Sequence, residues 1–324
     1  MKVLMAQPIR WGLAALMTAS FIVGVGAAQQ KQEPQLPLTP TFKTTVDLVS
    51  VTAVVRDGKG RVVRNLTRED FQVYEKGQPR KIVDFKASDQ GPISLAVLFD
   101  VSGSMRGSPN MVAGKKAVEH ILSWVEPKAD EFALFTFDRD LRQETPFTND
   151  PATIRTALDK MTAIGVTSLY DAIADTAKKL SNRPSPRRAV VVITDGIDNA
   201  SQLTAAQVSG MASAIDVPVY VIAVVSPLDH PGTDYAVPGA NMSQVSTSLG
   251  NLATWTGGEL IMVSAPADAS LAARELITEL RHQYLLAFES SKLPGWYAVD
   301  VKTRNRDFTV RARSGYFANQ RPYS

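Results

Sequence analysis

A chain of 324 residues is long enough for one large domain and a smaller one, and its composition, 44% hydrophobic and 21% charged, is ordinary for a folded protein. The sequence contains no cysteine, which excludes disulfide bonds, thiol catalysis, a lipid-modified cysteine anchor and cysteine-ligated metals. The formal net charge is only +3, and no basic block interleaved with aromatic residues occurs, so the sequence does not favour nucleic-acid binding.

The first 28 residues have the pattern of a secretion signal. Lys2 and Arg10 provide a positive start, residues 11–25 are apolar, and small residues follow up to Ala28, after which we expect cleavage. The alternative is a retained membrane anchor, but this apolar run of about 15 residues is shorter than the ~20 needed to span a bilayer. Cleavage leaves 33 of the 35 basic residues against 32 acidic ones. The sequence therefore predicts an exported protein, periplasmic or extracellular, with no stable membrane span after cleavage and little net charge.

A linker and a small β module are predicted next. Residues 29–43 are polar and proline-rich, which is typical of an extended linker. Residues 44–89 contain a β-branched run at 46–55, and a turn connects it to a second apolar segment at 61–63, a pattern that predicts a hairpin. We therefore expect an N-terminal all-β module over residues 44–89.

The middle of the chain, residues 90–283, alternates between apolar strands and helical patterns. This alternation predicts an α/β fold with a doubly wound, mainly parallel sheet of the Rossmann-like type. We expect strands at 93–99, 132–137, 189–193, 217–225 and 259–263, with a short antiparallel edge strand near 141–145. We expect helices at 111–125, 152–161, 168–180, 205–214, 244–254 and 267–281, and a long loop over 226–243.

The tail of the chain returns to β character. Residues 284–318 contain three short apolar segments, separated by turn residues such as Pro294-Gly295. We expect this C-terminal segment to pair with the N-terminal β module, so that the two form a sandwich-like unit beside the α/β domain.

The strongest signal for chemistry is the segment Asp100-Val101-Ser102-Gly103-Ser104, which directly follows the first strand of the predicted parallel sheet. In open α/β sheets, ligands bind at the carboxyl ends of the strands. The carboxylate and the two hydroxyls place three oxygen atoms in one tight loop, and we expect them to face a ligand there.

Two further residues supply oxygen atoms at the same predicted edge. Thr167 precedes a predicted helix, and Asp195 follows the predicted strand 189–193 within Thr-Asp-Gly. Together with Asp100 and the two serines, they form a set of oxygen donors without nitrogen or sulfur, which suits Mg²⁺ or Mn²⁺. If one carboxylate binds the ion directly and the other ligands are hydroxyls or water, the ion keeps positive charge and attracts an acidic group from outside.

These five residues match a known pattern. Asp100-x-Ser102-x-Ser104, followed by Thr167 and then by Asp195, resembles the metal-ion-dependent adhesion site of von Willebrand factor A domains, and every position carries the expected residue type. The resemblance implies that the first and fourth strands of the parallel sheet are neighbours, which brings the two aspartates side by side. It also implies a Mg²⁺-dependent protein-interaction or adhesion module, not an enzyme, that binds a carboxylate of a protein partner.

The resemblance extends beyond the metal-binding pattern. Four further segments look like signatures of exported proteins with a von Willebrand factor A domain that are abundant in Acidobacteria. These segments are 66–85, 252–258, 279–288 and 312–317. The likeness covers roughly residues 44–318 and supplies a mechanism without naming a partner.

Several other residues have ordinary structural explanations. Asp171 and Asp198 could orient the metal-binding residues from outside the coordination sphere, but a carboxylate in the first turn of a helix is also favourable by itself. We expect the three histidines to be surface or packing residues, not catalytic bases. We expect Trp124 and Trp255 to pack in the core and Trp296 to be partly exposed.

The sequence also allows two other classes of function. A metal-dependent phosphohydrolase would use Asp100 as the nucleophile, but such enzymes generally need a second acid two residues later, where this chain has Ser102. The other alternative is an envelope scaffold that makes contacts through its β module and keeps only a vestigial metal site. Phosphatase activity would favour the first alternative, and partner binding that resists EDTA would favour the second.

Overall fold

The computed structural model describes residues 48–87, 91–106, 109–196, 198–214, 216–224, 242–264, 266–290 and 293–318. The predicted signal peptide, the predicted linker and nearly all of the predicted loop 226–243 lie outside these residues. The described elements belong to one compact unit, Thr45–Ser324. Among the described helices, none is both long and apolar enough to cross a membrane.

Four short strands precede the central domain. They are β1 (Leu48–Arg56), β2 (Phe71–Glu75), β3 (Gln78–Arg80) and β4 (Ile82–Ala87). The predicted hairpin after β1 is reduced to a single bridge between Arg56 and Val62. The turn itself is present, because the carboxylate of Asp57 accepts hydrogen bonds from the backbone amides of Lys59 and Arg61.

The central part alternates strands and helices as the sequence predicts. Its strands are β5 (Ile93–Asp100), β6 (Glu131–Phe137), β7 (Leu141–Gln143), β8 (Arg187–Thr194), β9 (Val219–Val224) and β10 (Leu260–Val263). Its helices are α1 (Pro109–Trp124), α2 (Pro151–Lys160), α3 (Leu169–Ser181), α4 (Ala205–Ala214), α5 (Met242–Thr256) and α6 (Pro266–Arg281). The strand order is β10-β9-β8-β5-β6-β7, and only β7 runs antiparallel to its neighbour. The expected α/β fold with a mainly parallel sheet is confirmed.

Both faces of this sheet are covered, which explains why its inner strands are mostly apolar. Every residue of β5 is buried. Side chains at alternate positions, such as Leu95 and Val97, pack with α1 and α6 on one face, and Ala96 and Leu98 pack with α3, α4 and α5 on the other. Since β5 lies in the middle of the sheet, its carboxyl end is held from both sides.

The strands after α6 pair with those at the start of the described chain. They are β11 (Tyr284–Glu289), β12 (Gly295–Thr303), β13 (Thr309–Ala312) and β14 (Gly315–Ala318). One antiparallel sheet has the order β13-β1-β11-β4 and the other β14-β12-β2-β3, and the two share a hydrophobic core. Each sheet therefore combines two strands from the start of the described chain with two strands from its end.

A buried ion pair cluster joins these strands to the parallel sheet. The side chain of Glu279, on α6, is only 1% exposed. It accepts a 2.7 Å hydrogen bond from Nε of Arg56 on β1, a 3.1 Å bond from the Tyr220 hydroxyl on β9, and a further bond from Arg311 on β13. One carboxylate therefore connects the last helix of the central domain with strands of two different sheets.

The expected burial of two tryptophans is wrong. Trp124 is 46% exposed and Trp255 is 39% exposed, while Trp296, at 37%, is partly exposed as expected. Trp124 is the last residue of α1, and Trp255 is next to last in α5. The buried residues of α1 lie earlier in the helix and include Ala117, Val118 and Ile121. Apolar character alone does not place a side chain on the buried face of its helix.

Candidate functional site

Asp100 is the last residue of β5 and its carboxylate is buried. Oδ1 accepts a 2.8 Å hydrogen bond from the backbone amide of Ser102, and Oδ2 accepts a 2.7 Å bond from the hydroxyl of Thr194. Both bonds fix the carboxylate at the carboxyl edge of the parallel sheet, where the two central strands end side by side. The orientation of Asp100 is therefore set by its own loop and by the neighbouring strand.

Burial raises the pKa of Asp100 from its usual range to about 6. The hydrogen bonds from Ser102 and Thr194 lower this pKa, and the negative charge of nearby Asp195 raises it. Burial is the largest of these effects. Burial therefore makes the ionised form of Asp100 costly, and a bound cation would offset this cost.

The two serines of the motif lie in a short turn directly after β5. Residues Gly103–Met105 form a single 3-10 turn, and the hydroxyls of Ser102 and Ser104 lie 3.1 Å apart. Ser102 is buried, whereas Ser104 is exposed. The loop thus carries two adjacent hydroxyls, one on a buried residue and one on an exposed residue.

Thr167 reaches the site through a loop that is bonded to this turn. The backbone amide of Gly103 donates to the carbonyl of Gly165 at 2.9 Å, and the amide of Ile164 donates to the carbonyl of Val101 at 2.7 Å. A side chain at Gly103 would crowd that carbonyl, since an added Cβ atom would lie 3.3 Å from it. Close backbone contact therefore holds the segment just before the buried Thr167 against the loop that carries the serines.

Asp195 follows β8, which is the strand that pairs directly with β5. Phe99 is level with Ile193 in this pair, so Asp100 and Thr194 end their strands together and Asp195 comes next. Asp195 is partly exposed, and its charge acts on the pKa of Asp100. The prediction that the first and fourth strands of the parallel sheet are neighbours is confirmed.

Asp171 and Asp198 bind backbone and hydroxyl groups that connect the loops around the site. The carboxylate of Asp171, in the first turn of α3, accepts bonds of 2.9 Å from the amides of Gln202 and Leu203. Asp198 accepts from the amide of Leu169 at 2.8 Å and from the hydroxyl of Ser201 at 2.7 Å. Both aspartates therefore attach the start of α3, next to Thr167, to the segment after Asp195.

Two residues near the site were missed by the sequence reasoning. In the sequence, Thr194 is notable only as part of the Thr-Asp-Gly segment, but its hydroxyl donates a hydrogen bond to the carboxylate of Asp100. Asn199 accepts from the amide of Thr167 at 2.9 Å, and its own amide donates to the carbonyl of Thr167 at 3.0 Å. A strand-final threonine before an aspartate was an available signal for Thr194, but no local pattern pointed to Asn199.

The side chains at this edge have the chemistry of a site for a hard divalent cation. The available atoms are carboxylate and hydroxyl oxygens, which Mg²⁺ and similar ions prefer. In the part of the chain that the structure describes, no three His, Cys, Asp or Glu side chains form a metal-binding group. Carboxylate and hydroxyl oxygens are the atoms that an ion at this edge would have available.

The described histidines lie on elements that lead away from this edge. His120 is on the later part of α1, and His282 follows α6 with its Nδ1 atom 2.7 Å from the carbonyl of Thr278. The helix α1 connects the parallel strands β5 and β6, so its C-terminal part lies at the amino ends of the strands. Arg281, next to His282, bonds to Asp130 just before β6, at the same amino end. Neither residue is placed to act as a base next to Asp100.

The sequence of this region is similar to a known domain family. Residues 95–197 match the model of the von Willebrand factor type A domain. The match covers the strand that ends in Asp100, the loop that carries Thr167, and the strand that leads to Asp195. Domains of the von Willebrand factor type A family generally act as interaction modules, not as enzymes.

Solved structures that are similar to this chain come from several sources. BatB from Bacteroides thetaiotaomicron is 17% identical and aligns over 57% of this chain and 97% of its own, with a TM-score of 0.45. A von Willebrand factor type A protein from Catenulispora acidiphila is 13% identical over 85% of this chain and 74% of its own, with a TM-score of 0.49. Proximal thread matrix protein 1 of the mussel byssus, solved with zinc in its adhesion site, is 20% identical over 64% of this chain and 49% of its own, with a TM-score of 0.44. No curated protein matches the sequence significantly.

Proposed function

We propose that this chain is a Mg²⁺-dependent protein-interaction module. In this proposal Asp100, Ser102, Ser104, Thr167 and Asp195 hold Mg²⁺ or Mn²⁺, and a carboxylate of a protein partner completes the coordination of the ion. The observation that carries the proposal is the buried carboxylate of Asp100 at the point where these oxygen-bearing loops meet.

The balance of charge supports binding of an acidic group. Asp100 and Asp195 supply the carboxylates, and the other three residues supply neutral hydroxyls. If only one carboxylate binds the ion directly, the ion keeps net positive charge in a partly buried setting, where the attraction for an external carboxylate is stronger than in bulk water. The ion then acts as the contact between the domain and its partner.

The location and the domain boundaries are part of the same proposal. The chain is exported to the periplasm or the outside of the cell after removal of residues 1–28, and it is of the type found in Acidobacteria. The adhesion domain spans residues 90–283. Residues 44–89 and 284–318 form the smaller β unit, and the pairing of β1 with β11 and of β2 with β12 supports this division.

Calorimetric titration of residues 29–324 with Mg²⁺ and with Mn²⁺ tests the metal site. We expect saturable one-to-one binding in the wild type and loss of binding in Asp100→Ala. Asp175→Ala is the matched control, because Asp175 is an exposed carboxylate on α3. Metal binding that survives Asp100→Ala would overturn the assignment of the site.

A second measurement tests carboxylate binding. A synthetic glycine–serine peptide with one glutamate is titrated into the metal-loaded protein, and the matching glutamine peptide is the control. We expect binding of the glutamate peptide that EDTA abolishes. Equal binding of both peptides, or binding that resists EDTA, would contradict the mechanism and favour the scaffold alternative.

An assay for phosphate-ester hydrolysis separates the module from the enzyme alternative. Ser102 occupies the position where an aspartyl-nucleophile phosphohydrolase needs its proton donor, and its backbone amide already binds Asp100. We expect no hydrolysis of p-nitrophenyl phosphate with Mg²⁺. Turnover that is lost in Asp100→Asn would favour the phosphohydrolase.

A further inference from the structure

A polar groove begins at the proposed metal loop and runs between α2 and the hairpin of β6 and β7. Its volume is about 660 Å³. Val101, between two of the proposed metal-binding residues, is one of its lining residues. The groove is therefore continuous with the edge of the sheet at which the partner carboxylate would bind.

One wall of the groove is a single face of α2. The lining residues of this helix are Thr153, Thr156, Ala157 and Lys160. Their spacing of three and four residues places them on one side of the helix. Ile154 and Leu158 are buried, so α2 uses another side to pack against the core. The groove face of α2 is thus open to a ligand.

The acidic side chains of the opposite wall are already engaged within the protein. Both oxygens of Asp138 receive hydrogen bonds of 3.1 Å from the guanidinium of Arg142. Although burial alone would raise the pKa of Asp138, these bonds and the neighbouring amides lower it. Glu144 accepts a 2.6 Å hydrogen bond from the hydroxyl of Thr136. These groups form a fixed hydrogen-bonded wall.

Lys160 differs from these groups. Its side chain is exposed, and it makes no ion pair or hydrogen bond with the described residues. Arg142, the other described cation that lines the groove, is paired with Asp138, whereas Lys160 is not paired with an acidic side chain of the lining. An acidic group that entered the groove could pair with it without displacing an existing contact.

We propose that this groove binds the segment of the protein partner that adjoins the metal-binding carboxylate, and that Lys160 pairs with a second acidic side chain of that segment. This inference rests on the proposed function, because the first carboxylate binds the metal. The ligand is a polypeptide segment with two separated acidic side chains.

The test compares peptides with one and with two acidic side chains. Glycine–serine peptides carry one glutamate, or a second glutamate at each of several spacings, and their dissociation constants are measured with saturating Mg²⁺. In the wild type, we expect the best two-glutamate peptide to bind about twofold to fivefold more tightly than the one-glutamate peptide, as for an exposed ion pair. Lys160→Ala should lose this advantage, and Lys160→Glu should reverse it.

Lys179→Ala is the control, because Lys179 is an exposed lysine on α3 that does not line the groove. It should keep the advantage of the second glutamate. Mg²⁺ binding is measured on every variant, so that loss of the metal is recognised. Equal affinity of both kinds of peptide for the wild type, or an advantage that survives Lys160→Ala, would overturn this inference alone. Failure of all peptides to bind metal-loaded protein would instead overturn the proposed function, and this inference with it.

Discussion

The hydroxyl of Thr194 donates a 2.7 Å hydrogen bond to the carboxylate of Asp100, across two adjacent parallel strands. The same hydroxyl accepts a 3.0 Å bond from the amide of Gly196, so it is fixed by both neighbours. Thr194 is completely buried. The carboxylate at the centre of the proposed metal site is therefore oriented by a residue that need not bind the metal itself.

Replacement of this threonine should weaken metal binding without removing any proposed ligand. Thr194→Val keeps the shape of the side chain but loses the bond to Asp100, and loss of such a supporting bond typically lowers metal affinity by about tenfold or more. Thr194→Ser should retain most of the affinity, because it keeps the hydroxyl. Calorimetric titration with Mg²⁺ measures both variants, and equal affinity of Thr194→Val and wild type would show that the bond does not matter.

Asp100→Asn should separate folding from metal binding. A buried carboxylate without a cation is costly, so the neutral amide should leave the free energy of unfolding without metal unchanged or higher. The same variant should gain no stability from Mg²⁺. Thermal unfolding with and without the ion checks both expectations, with Asp175→Asn as the control for a neutralised exposed carboxylate. A marked loss of stability without metal would mean that the charge of Asp100 supports the fold.

Removal of the metal should lower the stability of the wild type. A ligand that binds only the folded state at a concentration a hundredfold above its dissociation constant stabilises that state by about 2.7 kcal/mol. We therefore expect a higher melting temperature in Mg²⁺ than in EDTA, by scanning calorimetry. The difference should disappear in Asp100→Asn. Identical melting curves for the wild type in Mg²⁺ and EDTA would argue against a specific site.

Glu279→Ala should destabilise the protein strongly. Glu279 is nearly inaccessible and bonds to Arg56, Arg311 and Tyr220, so its removal leaves two arginines without their buried partner. Breaking a buried ion pair of this kind costs about 3–5 kcal/mol. Urea unfolding measures the loss, and Glu119→Ala, which breaks the exposed pair with Arg155, should have little effect. Similar midpoints for the two variants would show that the buried cluster is not important for stability.

Most of the central fold can be predicted from the sequence because its signals are local. Strands that are buried on both faces are continuously apolar, as in β5 and β8, and each predicted helix between them is present within a few residues of its expected bounds. The prediction from the sequence fails where the burial of a side chain depends on contacts with distant segments. The sequence predicts that Trp124 and Trp255 pack in the core, but the packing of their helices leaves both side chains partly exposed.

The candidate site is only partly visible in the sequence. The spacing of Asp100, Ser102 and Ser104 is a local pattern, and Thr167 and Asp195 follow from the order of the elements. The contacts that support them are not local: Asn199 binds Thr167 from 32 residues away, and Thr194 binds Asp100 from 94 residues away. Such pairs depend on which loops meet at the edge of the sheet.

The sequence by itself determined the α/β class of this protein, the approximate positions of its elements and the residue types of the proposed metal site, because hydrophobic periodicity and short motifs are properties of neighbouring residues. Only the tertiary structure decided that Thr194 orients Asp100, that Glu279 ties α6 to β1 and β13, and that Lys160 lies in a groove with no ion pair among the described residues. Each of these facts depends on how segments far apart in the chain pack together. The burial and charge that govern their chemistry exist only after that packing.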